Sequence, residues 1–158
     1  MKNSIILKFF FVLIFGIGTL TSAQKFVKNS EITVNTLKSL VEDSGFSVVE
    51  TGDDYIKVKN TYSWNIYNDK TKGYLTFSGI YPASDKATSL KAYELCNIIN
   101  QEVAVIKIDY DEPSKTFGIS YYFMVEGGFS MPALVKAINL FRDTITYSLD
   151  KDTEGLIK

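Results

Sequence analysis

The sequence contains no histidine, a single cysteine and three prolines among its 158 residues. A catalytic relay of the Ser-His-Asp or Cys-His type needs an imidazole, so both relays are excluded. Zinc sites built from several histidines or cysteines are excluded for the same reason. No glycine-rich loop of the kind that binds phosphates follows the first 20 residues. We therefore predict no catalytic residue, no metal and no cofactor.

Neither sign of charge predominates. The formal net charge is −1, and removal of Lys2 and Lys8 with the leader described below leaves 15 of the 17 basic residues against 18 acidic ones. Binding to nucleic acid depends on a concentrated basic surface that neutralises phosphates, so the balance argues against a nucleic-acid partner. Apolar residues at 46% and charged residues at 22% are typical of a globular domain.

The one long hydrophobic run lies at the N-terminus. Residues 1–23 combine two lysines, an apolar stretch over 9–18 and the small residues Thr21-Ser22-Ala23 before Gln24. This is the pattern of a cleavable signal peptide. A retained membrane anchor is the alternative, but the run is shorter than the roughly 20 residues that a spanning helix needs. We expect an exported bacterial protein, periplasmic or secreted, with no membrane span after cleavage.

Residues 24–158 have no internal repeat or linker and are predicted to form one α+β domain, with a core over about 33–149 and loose ends at 24–29 and 150–158. Hydrophobic residues recur with helical spacing in some segments and with a period of two in others. The predicted elements are helix 33–44, strands 46–50, 55–59, 63–67 and 73–78, helix 86–100, strands 104–110 and 117–125, and a helix after Ser130. This order, α-β-β-β-β-α-β-β-α, predicts helices packed on an antiparallel sheet.

Strand alternation assigns side chains to the two faces of the predicted sheet. The helices need an apolar partner, and the richer set on the last strand is Phe117, Ile119, Tyr121 and Phe123. Tyr122 and Met124, with Tyr74 and Tyr67 on other strands, are then left on the open face. Tyrosine is enriched in the cores of protein interfaces, so these four are the candidate binding residues. The alternative is that half-exposed tyrosines serve strand propensity alone.

Three residues of the second helix are singled out. Cys96 lies on the apolar stripe, where a lone buried thiol is predicted to act as a small hydrophobic residue. Asn97 and Asn100 lie near the helix end, where side-chain amides satisfy unpaired carbonyls or the following turn. A structural role is predicted for both asparagines, with ligand binding as the alternative.

The acidic residues Asp109, Asp111 and Glu112 are the most metal-like group in the sequence. A calcium loop of EF-hand type starting at Asp109 needs glycine at its sixth position and glutamate at its twelfth, where Ser114 and Ser120 stand. A solvated hairpin turn is therefore predicted, with weak cation binding as the alternative. Hydrolysis of the glycosidase type would need two carboxylates in unequal environments.

The second helix and the elements after it resemble the YbjN-like family. The similar stretch runs from Leu95-Cys96-Asn97-Ile98-Ile99-Asn100 through the hairpin to Gly127-Gly128 and the last helix, within a similarity over about 33–149. The resemblance implies a fold similar to that of type III secretion chaperones, with roles in regulation or in binding other proteins. It implies no catalytic residues. The predicted export signal sets the chain apart from cytoplasmic members.

An exported, non-enzymatic protein-binding module, regulatory or chaperone-like, is the leading hypothesis. Its predicted partner is another protein or a second copy of the chain. The alternatives are a small carboxylate-dependent hydrolase, a carbohydrate-binding envelope protein, and a structural or dimerising envelope protein. Two convergent carboxylates in a pocket would favour the hydrolase, whereas a flat aromatic sheet face would favour binding.

Overall fold

Eight strands and three α-helices are seen in the computed structural model, which describes residues 26–69 and 71–158. The strands are β1 (Phe26–Val27), β2 (Ser47–Thr51), β3 (Tyr55–Lys59), β4 (Ser63–Asp69), β5 (Tyr74–Pro82), β6 (Lys107–Asp111), β7 (Thr116–Met124) and β8 (Phe129–Ser130). The helices are α1 (Val34–Asp43), α2 (Ser89–Glu102) and α3 (Met131–Lys151), and a short 3-10 helix spans Asn29–Glu31.

Six strands form one antiparallel sheet in the order β2-β3-β4-β5-β7-β6. Helix α1 lies against β2 and β3, α2 against β6, and α3 against β7. The predicted α+β fold with helices on an antiparallel sheet is confirmed. Strands β1 and β8 pair with each other as a separate sheet. They were not predicted, because two residues are too few to show a period.

The hydrophobic core lies between the sheet and the helices. Phe141 of α3 is fully buried, and its ring centroid lies 6.1 Å from that of Trp64 on β4 and 5.7 Å from that of Phe77 on β5. The predicted α3 stripe is buried throughout, as are the inward residues of the central strands: Leu134, Ile138, Ile145, Ile66, Leu75, Phe117 and Ile119. Alternation therefore predicted the inward face of the sheet correctly.

Polar caps set where two of the helices begin. The Thr36 N–H donates to Thr33 Oγ1 at 3.1 Å, which confirms Thr33 as the cap of α1. Helix α2 begins three residues later than predicted because Thr88 is its cap, accepting from the Lys91 N–H. The predicted cap of α3 is wrong in one respect. Ser130 has the N-cap position, but its side chain makes no capping hydrogen bond, and its backbone pairs with Phe26 in the small sheet.

Gly128 is needed for the approach of the N-terminal segment to the core. Its φ of +83° is in the left-handed region that favours glycine. A Cβ built there would lie 2.6 Å from the Phe26 ring and 2.7 Å from the Val27 carbonyl oxygen. A side chain at this position would therefore separate β1 from β8.

The C-terminal residues are packed on the domain, so the prediction of a loose end over 150–158 is wrong. Leu156 is 3% exposed and joins the core, and Ile157 pairs with Ala83. The Asp152 carboxylate accepts the N–H groups of Leu156 at 2.8 Å and Ile157 at 2.7 Å. The N-terminal end is anchored as well, since Val27 is 3% exposed. Both predictions of a loose end failed because these segments are held by pairing with distant parts of the chain, which leaves no local hydrophobic period in the sequence.

Cys96 is buried on the inner side of α2, as predicted. Burial raises the pKa of its thiol to about 11, and the nearby Asp109 adds to the shift. The thiolate that reactive cysteines need is therefore disfavoured.

Among residues 26–69 and 71–158, no helix has both the length and the apolar character required to cross a bilayer.

Candidate binding surface

The sheet face that carries no helix bears a group of tyrosines near one end of the central strands. Tyr55 of β3, Tyr67 of β4 and Tyr122 of β7 share one row across the sheet, with Thr76 of β5 between the last two. Tyr74 and Met124 lie side by side in the next row. We call Tyr55, Tyr67, Tyr74, Tyr122 and Met124 the tyrosine face.

Paired rings give the tyrosine face its shape. The ring centroids of Tyr55 and Tyr67 are 5.5 Å apart, and those of Tyr74 and Tyr122 are 5.1 Å apart in an edge-on arrangement. Thr76 is the smaller residue between these two pairs, so the row dips at its centre. Tyr122 is 49% exposed and Met124 61% exposed, while the other tyrosines are half-buried. Fixed rings lose little conformational entropy when they are covered by a partner.

A row of small polar side chains lies beside the tyrosines. Asn65, Ser78 and Ser120 occupy adjacent positions on β4, β5 and β7. The Asn65 amide donates to the Tyr67 hydroxyl oxygen at 2.9 Å, which helps to fix that ring. Lys57 and Lys107 continue the row on the flanking strands β3 and β6.

The central strip of this face is nearly free of charge. On β4, β5 and β7, which are described in full, the one charged residue of the face is Asp69. Hydrogen bonds from Thr71 and the ammonium group of Lys72, 2.9 Å away, lower the pKa of Asp69 to about 2. The surface thus offers aromatic rings, hydroxyls and an amide, with charges confined to its borders.

The structure places all four predicted binding residues, Tyr67, Tyr74, Tyr122 and Met124, on this face. Tyr55 was missed, although it alternates with the outward Lys57 and that alternation was the available signal. The Tyr55 hydroxyl donates to the Glu50 carboxylate, and this bond raises the pKa of Tyr55 and lowers that of Glu50.

The two asparagines of α2 differ in their surroundings. The Asn100 amide donates to the Ile108 carbonyl oxygen at 2.8 Å and its Oδ1 accepts the Ile108 N–H at 2.9 Å. These bonds take up backbone groups on the outer edge of β6, the last strand of the sheet. Asn97 is exposed, and within the described residues its side chain makes no hydrogen bond.

The acidic residues are spread over separate positions rather than converging. The Ser114 hydroxyl donates to the Asp111 carboxylate and the Ser89 hydroxyl to that of Glu112, while Asp109 lies against Gly118. In the part of the chain that the structure describes, no group of three potential metal ligands is present.

A cavity of about 480 Å³ lies between the start of α1 and the turn after β2. Asp53 and Asp54 line it, together with Thr33, Asn35 and Asn68. Both carboxylates are exposed neighbours on one turn. A glycosidase-type site needs two carboxyl groups that flank the substrate, whereas these two are adjacent residues on one exposed turn. The cavity therefore does not support the hydrolase alternative.

Comparison with solved structures identifies the fold. The chain superposes on YbjN, a candidate transcription regulator from E. coli, with a TM-score of 0.67 at 16% identity, covering 80% of this chain and 96% of that one. The chain has the YbjN-like fold. An uncharacterised protein from Methanothermobacter thermautotrophicus matches with a TM-score of 0.55 at 11% identity, over 75% of this chain and 94% of that one.

A chaperone-effector complex contains a related fold. The structure of the HopA1-SchA chaperone-effector complex matches with a TM-score of 0.50 at 13% identity, covering 69% of this chain and 86% of that one. The predicted similarity to chaperones of this kind is therefore present at the level of fold. No protein-family model matches the sequence, and no curated protein is significantly similar to it.

Proposed function

We propose that the chain is an exported, non-enzymatic protein-binding module of the YbjN-like family, and that its tyrosine face contacts the partner. The observation that carries the proposal is the composition of the open face, where paired tyrosines adjoin an uncharged row of serine and asparagine. Antibody combining sites use the same residue types, because tyrosine supplies rigid contact area and serine and asparagine supply adaptable hydrogen bonds.

The shared fold supports the proposal. One structural neighbour is a chaperone in a complex with its effector protein, and another is a candidate regulator. A binding role accounts for the exposed aromatic residues, which a purely structural domain does not require.

Export forms part of the same proposal and rests on the leader pattern of residues 1–23, which lie outside the described residues. Cleavage before Gln24 is expected to leave a mature chain that starts at that residue. Mass analysis of the N-terminus of protein isolated from its native host checks this. An intact Met1 on a membrane-bound form would contradict export by a cleavable signal.

Site-specific photo-crosslinking in the native host tests the binding role of the tyrosine face. Tyr122 is replaced by a photoreactive phenylalanine analogue, and the matched control carries the same analogue at position 93. Tyr93 of α2 is also 49% exposed and also forms an edge-on pair, with Tyr110 at 5.7 Å. We expect a discrete protein adduct from position 122 and none of the same mass from position 93.

Each other outcome of the crosslinking contradicts the proposal in a different way. An adduct from position 93 alone would move the interface to α2. Adducts to glycan rather than protein at position 122 would favour the carbohydrate-binding alternative, which the hydroxyl-rich and uncharged strip also accommodates. The absence of any adduct at 122 in cells where the protein is abundant would leave the tyrosine face without a partner.

A further inference from the structure

Residues 153–158, here called the tail, extend the main sheet beyond the beginning of β4. The Ser84 N–H donates to the Leu156 carbonyl oxygen at 2.7 Å, and the Lys158 N–H donates to the Pro82 carbonyl oxygen at 2.8 Å. The N–H of Ala83, which lies between them, donates to the carbonyl oxygen of Lys115, the residue just before β7. Because backbone groups of successive strand residues point to opposite sides, the tail lies on the β4 side of β5. It therefore fills a strand position that β4 leaves open.

One aliphatic side chain anchors the tail. Leu156 is 3% exposed and lines a cleft of about 110 Å³ together with Leu95 and Ile98 of α2. The Ser84 hydroxyl also donates to the Gly155 carbonyl oxygen at 2.7 Å, just before Leu156. Burial of a leucine side chain stabilises a docked segment far more than an exposed contact does, so Leu156 makes the largest single contribution to this docking.

Charges on either side of Leu156 complement the surface that holds the tail. Glu154, two residues before Leu156, forms an ion pair with Lys91 of α2. Lys158, two residues after it, forms an ion pair with Asp85 at 3.5 Å. Reversal of either charge would place like charges together. The docked tail thus contacts the domain through an acidic, an aliphatic and a basic residue at every second position.

The tail is held as a separable segment. Its ion pairs are exposed, and exposed pairs each contribute little to stability. It leaves α3 through a turn in which Gly155 has a φ of +68°, and the Asp152 carboxylate closes that turn. A short segment with one deeply buried side chain opens at lower cost than the core strands do.

We propose that the backbone of residues 82–84 and the buried position of Leu156 beside α2 form a strand-addition site, which the tail occupies in the free chain. In trans the site takes an extended polypeptide segment with the acidic–x–aliphatic–x–basic pattern of the tail. Main-chain hydrogen bonds supply affinity in strand addition, and side-chain pockets supply specificity. A tethered tail competes at an effective concentration in the millimolar range, so the free chain excludes weak peptides. The site is distinct from the tyrosine face.

A peptide-binding experiment on the full-length chain tests the proposal. The probe is a fluorescein-labelled peptide with the sequence of residues 152–158. The receptor is the Leu156→Asp variant, whose own tail can no longer bury an aliphatic side chain at this position. We expect this variant to bind the probe at least about tenfold more tightly than the wild-type chain does. A probe carrying the same Leu-to-Asp change is expected to lose that binding.

Charge reversal locates the bound peptide. Adding Lys91→Glu to the Leu156→Asp variant should weaken probe binding, and a probe with lysine in place of its glutamate should restore it. If Leu156→Asp does not fold, Asp152→Ala serves in its place, because it removes the acceptor that closes the turn and keeps Leu156. A folded variant that binds the probe no more tightly than wild type would overturn the proposal. So would binding that ignores the reversal at Lys91.

Discussion

Replacement of Phe141 by alanine is expected to lower the free energy of unfolding by about 3–5 kcal/mol, the range for deletion of a buried aromatic ring. The Phe141 ring is fully buried and contacts Trp64 and Phe77 from the two neighbouring central strands. Both rings would be left facing a cavity between sheet and helix. Because folded domains have total stabilities of about 5–15 kcal/mol, this loss is a large fraction of the total. Urea denaturation followed by circular dichroism measures the loss.

The adjacent residue provides the matched control for Phe141. Leu140 is 39% exposed on the outer side of α3, and leucine and alanine have similar helix propensities. Leu140→Ala should therefore cost less than about 1 kcal/mol. Equal losses for the two variants would contradict the packing of α3 described above.

Replacement of Asn100 by alanine is expected to lower the free energy of unfolding by about 1–3 kcal/mol, because it leaves two backbone groups without partners. Both the N–H and the carbonyl of Ile108 bond to this side chain at the outer edge of the sheet. An edge with unpaired backbone groups is a template for pairing with other chains. The variant should therefore also self-associate as its concentration is raised, which light scattering detects.

Asn97 provides the control for Asn100, since it lies one helical turn earlier, is exposed as Asn100 is, and makes no side-chain hydrogen bond within the described residues. Asn97→Ala should change the unfolding free energy by no more than about 0.5 kcal/mol. The Asn100→Asp variant distinguishes the contributions of the two hydrogen bonds, because an aspartate accepts the Ile108 N–H and cannot donate to the Ile108 carbonyl. Its stability should lie between those of wild type and Asn100→Ala. A fully stable Asn100→Ala variant would contradict the proposed sealing of the edge.

The face assignments could be predicted from sequence because alternation is a local signal. Tyr122 and Met124 on the outer face and Phe117 and Ile119 on the inner face follow from one strand and the need of the helices for an apolar partner. The same signal was available for Tyr55, which alternates with an outward lysine. Alternation alone places Tyr55 on the outer face but does not show that it lies beside Tyr67. That contact depends on the register in which β3 pairs with β4.

The tail could not be predicted, because its place depends on contacts between residues about 70 positions apart. Leu156 and Ile157 are two apolar residues in a charged stretch, which shows neither a helical nor a strand period. Their burial depends on Ala83, Ser84 and α2. The bonds of Asn100 are similar in kind. Its position near a helix end predicted a structural role, whereas its partner, Ile108, lies beyond the loop that follows α2.

The dissociation constant of the partner captured through position 122 is the most direct test of the binding role. Tyr122→Ser should weaken that constant by about 1–3 kcal/mol, roughly 5- to 150-fold, while Tyr93→Ser should leave it unchanged. Both variants should keep the wild-type unfolding free energy within about 0.5 kcal/mol, since both tyrosines are half exposed. Unchanged affinity in Tyr122→Ser, with reduced affinity in Tyr93→Ser, would show that the partner binds α2 and would contradict the proposed role of the tyrosine face.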